Sequence, residues 1–343
     1  MAIKLIIIIS ITLITAVLSV RSLCNPKSWL YIADVPNDRS LHVIPTPRNG
    51  GLGLLAAILA GWLAAWAFGY FENTQVFIGI IMFGLAMLGY LDDRFDLRSS
   101  IRFAGHFAAA GFAVFVLGPI ESIELPGILE IQLGVASIPF SLIFIVWMIN
   151  LYNFMDGMDG FAGGMTLFGF TTLAVICAIQ NNIALAVGIG VPAAAAMGFL
   201  LYNFPPAKIF LGDAGSTALG FLSATAMLFT AKENSIPLWV SIMIFSPFII
   251  DATITLLTRM LRKERFWAAH RTHYYQRLVT SGNSHKKVVL CEYLLMFTVS
   301  IFGITAVCST QSHLVLFIVW LLIFSFAAFR VNRLTASAFE KSP

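Results

Sequence analysis

The chain is 343 residues long, 59% apolar and 11% charged, whereas soluble domains carry about a quarter charged residues. That balance excludes an ordinary soluble globule. The formal net charge of +4 is small and, as its placement shows, a matter of topology, so no nucleic-acid partner is expected.

Apolar runs recur along the whole length, each long enough to cross a hydrocarbon core of about 30 Å. The predicted fold is all-α: one polytopic integral membrane domain over 1–343 with about eleven transmembrane helices. Their expected limits are roughly 4–21, 49–70, 75–91, 101–118, 136–151, 161–179, 183–202, 214–231, 237–258, 288–308 and 313–330. Lys4 ahead of the first run imitates a signal peptide, but Arg21 follows without a small-residue cleavage site, so this span reads as uncleaved. Cys24, Cys177, Cys291 and Cys308 show no metal-ligand spacing and read as structural thiols.

Lys and Arg in the connections orient the chain. With the N-terminus outside and the C-terminus cytoplasmic, nineteen of the 21 basic residues fall inside, among them Arg21, Arg39, Arg48, Arg94, Arg102, Arg259, Arg265 and Lys341. Only Lys4 and Lys232 fall outside, with Glu72, Glu121, Glu124, Glu130 and Glu233. The longest outer connection, about Pro119 to Ala136, reads as a small hairpin or interfacial segment. A basic inner face suits anionic headgroups and membrane lipids.

The unusual chemistry gathers on five inner loops, at about 22–48, 92–100, 152–160, 203–213 and 259–287. The first reads D-V-P-N-D-R-S-L-H-V-I-P-T-P-R-N-G-G from Asp34 to Gly51. Arg39, His42 and Arg48 are phosphate-binding candidates there, although loop arginines also follow from topology alone. The second opens on Asp92-Asp93. Adjacent carboxylates repel and are tolerated where a cation or water neutralises them, which suits Mg²⁺ or a general base beside a metal. The third, N-L-Y-N-F-M-D-G-M-D-G from Asn150 to Gly160, sets two carboxamides and two carboxylates at the end of an apolar run, where polar groups are expensive. Glycines after Asp156 and Asp159 let the backbone turn tightly.

The fourth loop carries Asn203, Pro205-Pro206, Lys208 and Phe210, then Asp213 among Gly212, Gly215 and Ser216 at a helix start, where backbone N–H groups suit phosphate. The fifth carries His270-Arg271-Thr272-His273 followed by Tyr274-Tyr275-Gln276-Arg277. Two histidines three apart share a helix face, but with Arg271 and Arg277 beside them and no third histidine or cysteine, an anion site is favoured over a transition metal. Asp251, inside the ninth span, reads as structural or supporting. Carboxylates with Mg²⁺, joined by Arg and His, imply phosphoryl chemistry on a substrate reached from both cytosol and bilayer.

These five segments, in this order, resemble the polyprenyl-phosphate N-acetylhexosamine-1-phosphate transferases, also called glycosyltransferase family 4, over essentially the whole chain. Asn150-x-x-Asn153-x-x-Asp156-Gly-x-Asp159-Gly matches the family's third-loop signature, Asp92-Asp93 its aspartate pair, and Asn203, Phe210 and Gly212-Asp213-x-Gly215-Ser216 its fourth-loop segment. The resemblance implies transfer of a sugar-1-phosphate from a UDP-N-acetylhexosamine to undecaprenyl phosphate at a bacterial cytoplasmic (inner) membrane, with release of UMP. It implies Mg²⁺, or Mn²⁺ in its place, held by Asp213 and Asn153. Asp92 or Asp93 would deprotonate or position the lipid phosphate, with Asp156 and Asp159 also in the catalytic set. Asn203, Phe210 and Asp159 would recognise uracil, and Arg48, His270, Arg271 and His273 would contact phosphates or sugar. A homodimer is one option for the assembly.

The fifth loop departs from the peptidoglycan-initiating branch, which carries a run of three histidines. His270-Arg-Thr-His273-Tyr-Tyr-Gln-Arg and the D-x-P-N-x-R-x-x-H run are closer to the branch that initiates lipopolysaccharide O-antigen. That branch uses N-acetylglucosamine or 6-deoxy relatives such as N-acetylfucosamine and N-acetylquinovosamine. The alternatives are a phospho-MurNAc-pentapeptide translocase, an enzyme initiating a teichoic-acid or arabinogalactan linkage, a non-catalytic scaffold, and a lipid-linked-sugar transporter. The transporter would place its polar residues at mid-membrane, where Asp251 is the single candidate.

Overall fold

The computed structural model describes residues 1–36, 41–42, 44–70, 73–127, 129–264 and 270–339. Asn37 and Arg39 of the first loop, together with Glu72, Arg265 and Lys341, lie outside the described residues. The fold is all-α, as expected. The helices are α1 (Ala2–Leu23), α2 (Gly50–Ala67), α3 (Asn73–Phe95), α4 (Ser99–Leu117), α5 (Ser137–Met155), α6 (Phe161–Ile179), α7 (Ile183–Asn203), α8 (Gly212–Lys232), α9 (Leu238–Ile244), α10 (Ser246–Leu261), α11 (Tyr274–Thr280), α12 (His285–Cys308) and α13 (His313–Phe339). Ten of these are long and apolar enough to cross a membrane, and α9 with α10 make an eleventh, bent span.

The span expected over 237–258 is present but broken: α9 and α10 meet at 85°. Pro247 has no N–H to give and its ring crowds the preceding turn, so the helix breaks at Phe245. The Ser246 hydroxyl donates to the Met243 carbonyl (2.6 Å) and accepts from the Trp320 indole (2.9 Å), which satisfies the opened turn.

α8 sits at the centre, packed by α2, α3, α5 and α9 and buried on nearly every side. A helix apolar all round belongs in a core. α1 and α13 stand at the edge and expose Ile6, Ile14, Leu18, Leu322 and Phe326, as lipid-facing helices do. Glycines let α8 approach its neighbours. A Cβ on Gly89 of α3 would lie 2.5 Å from the Asp213 carbonyl carbon, and one on Gly51 of α2 would lie 2.4 Å from the Gly215 Cα.

Two short antiparallel pairs complete the chain. β1 (Ala33–Asp34) pairs with β2 (Thr46–Pro47) at one end of the bundle, in register Ala33↔Pro47. β3 (Ser122–Leu125) and β4 (Leu129–Gln132) form the hairpin expected at the other end. Lys4 lies over the Phe68 ring at that end, and Lys232 donates to the Leu117 carbonyl. The two basic residues assigned to the outer side therefore share one end of the molecule.

Candidate active site

The helices run further into the site than hydropathy suggested. Asp92 and Asp93 lie in the last turn of α3, Asn150 and Asn153 in the last turns of α5, and Asp213 in the first turn of α8. The acids are therefore held by helix ends rather than by free loops. α8 has no capping side chain of its own. Instead the Asp93 carboxylate, reaching across from α3, accepts from the backbone N–H of Asp213 (2.9 Å) and of Ala214 (3.4 Å). A carboxylate at a helix N-terminus satisfies open donors and matches the helix dipole.

Loop one is tied to the same place. Arg48, leaving β2, donates through Nη2 to Asp93 and lies 3.8 Å from Asp213 Oδ1. Phe210 N–H donates to the Pro47 carbonyl (2.7 Å), and Gly50 and Gly51 N–H donate to the carbonyls of Phe210 and Leu211 (2.9 and 2.8 Å). Gly212 holds a φ of +75°, and a Cβ there would lie 2.0 Å from the Arg48 carbonyl oxygen, so this turn requires glycine.

Asn153 reaches Asp213 from α5: its Nδ2 donates to Asp213 Oδ1 (2.9 Å) and to Ser216 Oγ (3.1 Å). Asp156 follows at the end of α5. Burial pushes its carboxyl well above the usual carboxylate range, the charges of Asp213 and Asp93 push it further, and Arg48 and the Gly212 N–H only partly offset them. Asp92 also lies beside Asp213, and it accepts from Arg102 Nη1 (2.8 Å) and from the Leu97 N–H (2.9 Å).

Asp93, Asp156 and Asp213 thus face one nearby arginine. Ionised together, they leave an excess negative charge set wholly in oxygen donors, the donor type of a hard divalent cation. No three His, Cys, Asp or Glu among the described residues form a closed metal cage. Mg²⁺ commonly takes one or two carboxylates and completes its shell with water and substrate phosphate, so the residues present fit such an ion.

Two cavities open from this cluster. A polar one of about 320 Å³ is lined by Asp34, His42, Arg48, Asp156, Asp159, Asn203, Phe210, Gln276 and His285. A mainly apolar one of about 410 Å³ is lined by Phe103, Phe107, Ile143, Trp147 and Leu256, with Asp92, Arg102, His106, Asn150 and Asn153 at its polar end. Asp213 lines both.

In the polar cavity, Asp159 accepts from the Ala207 N–H (3.0 Å) and lies 3.3 Å from His285 Nδ1. Phe210 has the His42 ring edge-on at 4.9 Å. Asn203 uses its amide to bridge two loops, accepting from the Gly160 N–H (2.9 Å) and donating to the Ile209 carbonyl (2.8 Å). Its carboxamide is thereby committed to shaping the wall.

The fifth loop differs from expectation. His270, Arg271 and His273 do not line the polar cavity; Gln276 does. His273 is buried and turned toward α10, where its Nδ1 lies 3.2 Å from Asp251 Oδ1. Asp251 also accepts from the N–H groups of Tyr274 (2.9 Å) and Tyr275 (3.1 Å) and from Thr255 Oγ1 (3.1 Å), so its role is to hold the start of α11. Burial, together with the neighbouring His273 and Arg259, lowers His270 to about 4, which makes it a neutral imidazole rather than a phosphate-binding cation at neutral pH. Beneath the third loop, Phe161 packs on Phe248 (4.7 Å between ring centroids) and on Tyr275 (5.0 Å), whose hydroxyl donates to the Phe154 carbonyl (3.2 Å).

His285 is a cavity residue that the motifs did not single out, and Asp34, which opens the D-x-P-N-x-R-x-x-H run, is one to which they gave no role. His285 sits one residue past the Ser284 cap of α12, in a Ser-Gly-Asn-Ser-His-Lys-Lys stretch that reads as a plain polar turn.

The sequence profile of glycosyl transferase family 4 matches residues 75–231. A probable undecaprenyl-phosphate N-acetylglucosaminyl 1-phosphate transferase of Bacillus subtilis (strain 168) is 33% identical over 295 residues, 84% of this chain and 81% of its own length. A decaprenyl-phosphate N-acetylglucosaminephosphotransferase of Mycolicibacterium smegmatis is 32% identical, over 76% of this chain and 71% of its own. A phospho-N-acetylmuramoyl-pentapeptide-transferase of Staphylococcus haemolyticus is 28% identical, over 71% and 79%.

Proposed function

The chain belongs to glycosyl transferase family 4, the polyprenyl-phosphate N-acetylhexosamine-1-phosphate transferases, and from that premise we propose that it moves an N-acetylhexosamine-1-phosphate from a UDP-sugar to undecaprenyl phosphate. One observation carries the reading. Asp213 stands where a polar cavity sized for a nucleotide and an apolar cavity sized for an isoprenoid end meet. A soluble donor and a lipid acceptor need such a junction.

In this reading the uracil lies against Phe210 near Asp159, and Arg48 faces the pyrophosphate. Asp213 with Asn153 would hold Mg²⁺ or Mn²⁺, which supplies positive charge for the phosphate oxygens when bound. The isoprenoid lies along Phe103, Phe107 and Trp147. An oxygen of the lipid phosphate attacks the phosphorus that bears the sugar. The bond from that phosphorus to the nucleoside phosphate breaks, and UMP departs with the electron pair. Asp93 is spent on Arg48 and the α8 amides, and Asp92 on Arg102 and Leu97; both then position rather than accept protons. Asp156, whose surroundings raise its proton affinity, takes any proton carried by the lipid phosphate.

The donor is N-acetylglucosamine or a 6-deoxy relative, supported by the absence of a histidine run at His273–Arg277, and the product would start O-antigen or another surface polysaccharide. The Lys/Arg count supports a cytoplasmic site in the inner membrane; a reporter fused after Pro343 should then read as cytoplasmic, and a periplasmic reading would break this topology. The decisive assay incubates purified protein and Mg²⁺ with undecaprenyl phosphate and, side by side, labelled UDP-N-acetylglucosamine, UDP-N-acetylfucosamine, UDP-N-acetylquinovosamine and UDP-MurNAc-pentapeptide. EDTA-sensitive product from a simple sugar is expected. Product from the muropeptide alone would place the chain in the peptidoglycan branch.

A further inference from the structure

His106 lies one turn deeper along α4 than Arg102 and is only 5% exposed, yet its ring lines the apolar cavity. Residues four apart on a helix share a face. A histidine inside a membrane span is costly unless something uses its polarity.

Its hydrogen bonds fix its state. Asn150 Nδ2 donates to the Val146 carbonyl at 2.7 Å. A carbonyl can only accept, so the Asn150 nitrogen, not its oxygen, points this way. The same Nδ2 lies 3.3 Å from His106 Nδ1, which must therefore be the accepting, unprotonated ring nitrogen. The imidazole is neutral and carries its proton on Nε2. No acceptor for that Nε2–H occurs among the hydrogen bonds of the described residues.

We propose that His106 Nε2–H is a phosphate-binding donor of the acceptor site, directed at the phosphomonoester of a polyisoprenoid and acting beside the Arg102 guanidinium. This assignment rests on the reading of the apolar cavity as the lipid site. Three features support it. The residue is buried overall and lines the cavity. The cavity is apolar on the bilayer side, where Phe103 and Phe107 are about half exposed, and polar only near Arg102, His106 and Asn150. Arg102 is already bonded to Asp92, so a doubly charged headgroup there needs a further donor that brings no competing negative charge. His106 supplies one.

The test uses the full-length protein in detergent and the variants His106→Ala and His106→Gln. Thermal stabilisation is titrated with undecaprenyl phosphate alone, with phosphatidylglycerol and with inorganic phosphate, and transfer kinetics are measured for both substrates. A lost hydrogen bond to a charged group predicts a tenfold or greater weakening, roughly, for undecaprenyl phosphate in the Ala variant. The KM for the UDP-sugar should stay within about twofold, and Gln, whose amide can donate, should recover most of the lipid affinity. Unchanged lipid binding in His106→Ala, equal losses for both substrates, or wild-type stabilisation as strong with phosphatidylglycerol or inorganic phosphate would each overturn the assignment. If wild-type protein bound undecaprenyl phosphate through His106 but transferred no sugar phosphate to it, the transferase reading would fail while the lipid-phosphate site stood.

Discussion

The polar cavity is walled by loop residues and helix ends tied to one another by side-chain-to-backbone hydrogen bonds, such as Asn203 to Gly160 and Ile209, and Asp159 to Ala207. The apolar cavity is walled by side chains spaced along α3, α4, α5, α8 and α10, with no loop contributing. The first is fixed by short-range chain geometry, where each residue type and spacing matters. The second is fixed by how helices pack, where shape matters and many apolar residues would serve. A wall of the first kind leaves a motif in the sequence; a wall of the second kind does not.

Substitutions can break this contrast in a graded way. Asp213→Asn touches both cavities, so turnover should fall on the order of a hundred- to a thousandfold whichever substrate is varied; near-normal transfer of labelled sugar phosphate would remove Asp213 from the centre. Phe210→Ala should act on the polar side alone. Loss of stacking worth roughly 1–3 kcal/mol predicts a KM for the UDP-sugar raised about five- to a hundredfold with little change for the lipid. Trp147→Ala should do the reverse and more weakly, raising the KM for undecaprenyl phosphate about fivefold for ~1 kcal/mol of apolar contact. A short-chain acceptor that leaves this wall empty should show no such change.

The smallest effect concerns protons. Asp156 is raised above the ordinary carboxylate range in the folded state, so the folded protein binds its proton more tightly than the unfolded chain does. Its contribution to stability is then full on the acid side and is lost as pH rises through the raised value. In EDTA, the melting temperature of wild-type protein should decline across that interval, and Asp156→Asn should flatten the decline. An identical slope in the variant would assign it to Asp93 or Asp213 instead.

Hydropathy made the spans legible because the bilayer dictates length and polarity, and the acid-bearing segments were legible because their spacing is rigid. The break at Phe245 was not, since apolar residues continue on both sides of it and only Pro247 marks it. Nor was the extension of α3, α5 and α8 into the site. Those turns end on polar residues and persist because neighbouring elements cap and pack them, Asp93 at the start of α8 being the clearest case. The fifth loop misled for a related reason: His273 looks like a ligand by type, yet Asp251, 22 residues earlier, takes it out of the cavity. His106 was passed over as a single polar residue in an apolar run, because only the packing of α4 on α5 gives it Asn150.

The bent segment ties the two sides together. α10 offers Leu256 to the apolar cavity and, through Asp251, grips the start of α11, whose Gln276 faces the polar one. A rod that touches both chambers is a lever. If seating a lipid shifted α10 and with it nucleotide affinity, linkage would require the nucleotide to alter lipid affinity by the same factor. The ratio of nucleotide dissociation constants with and without lipid would measure that coupling.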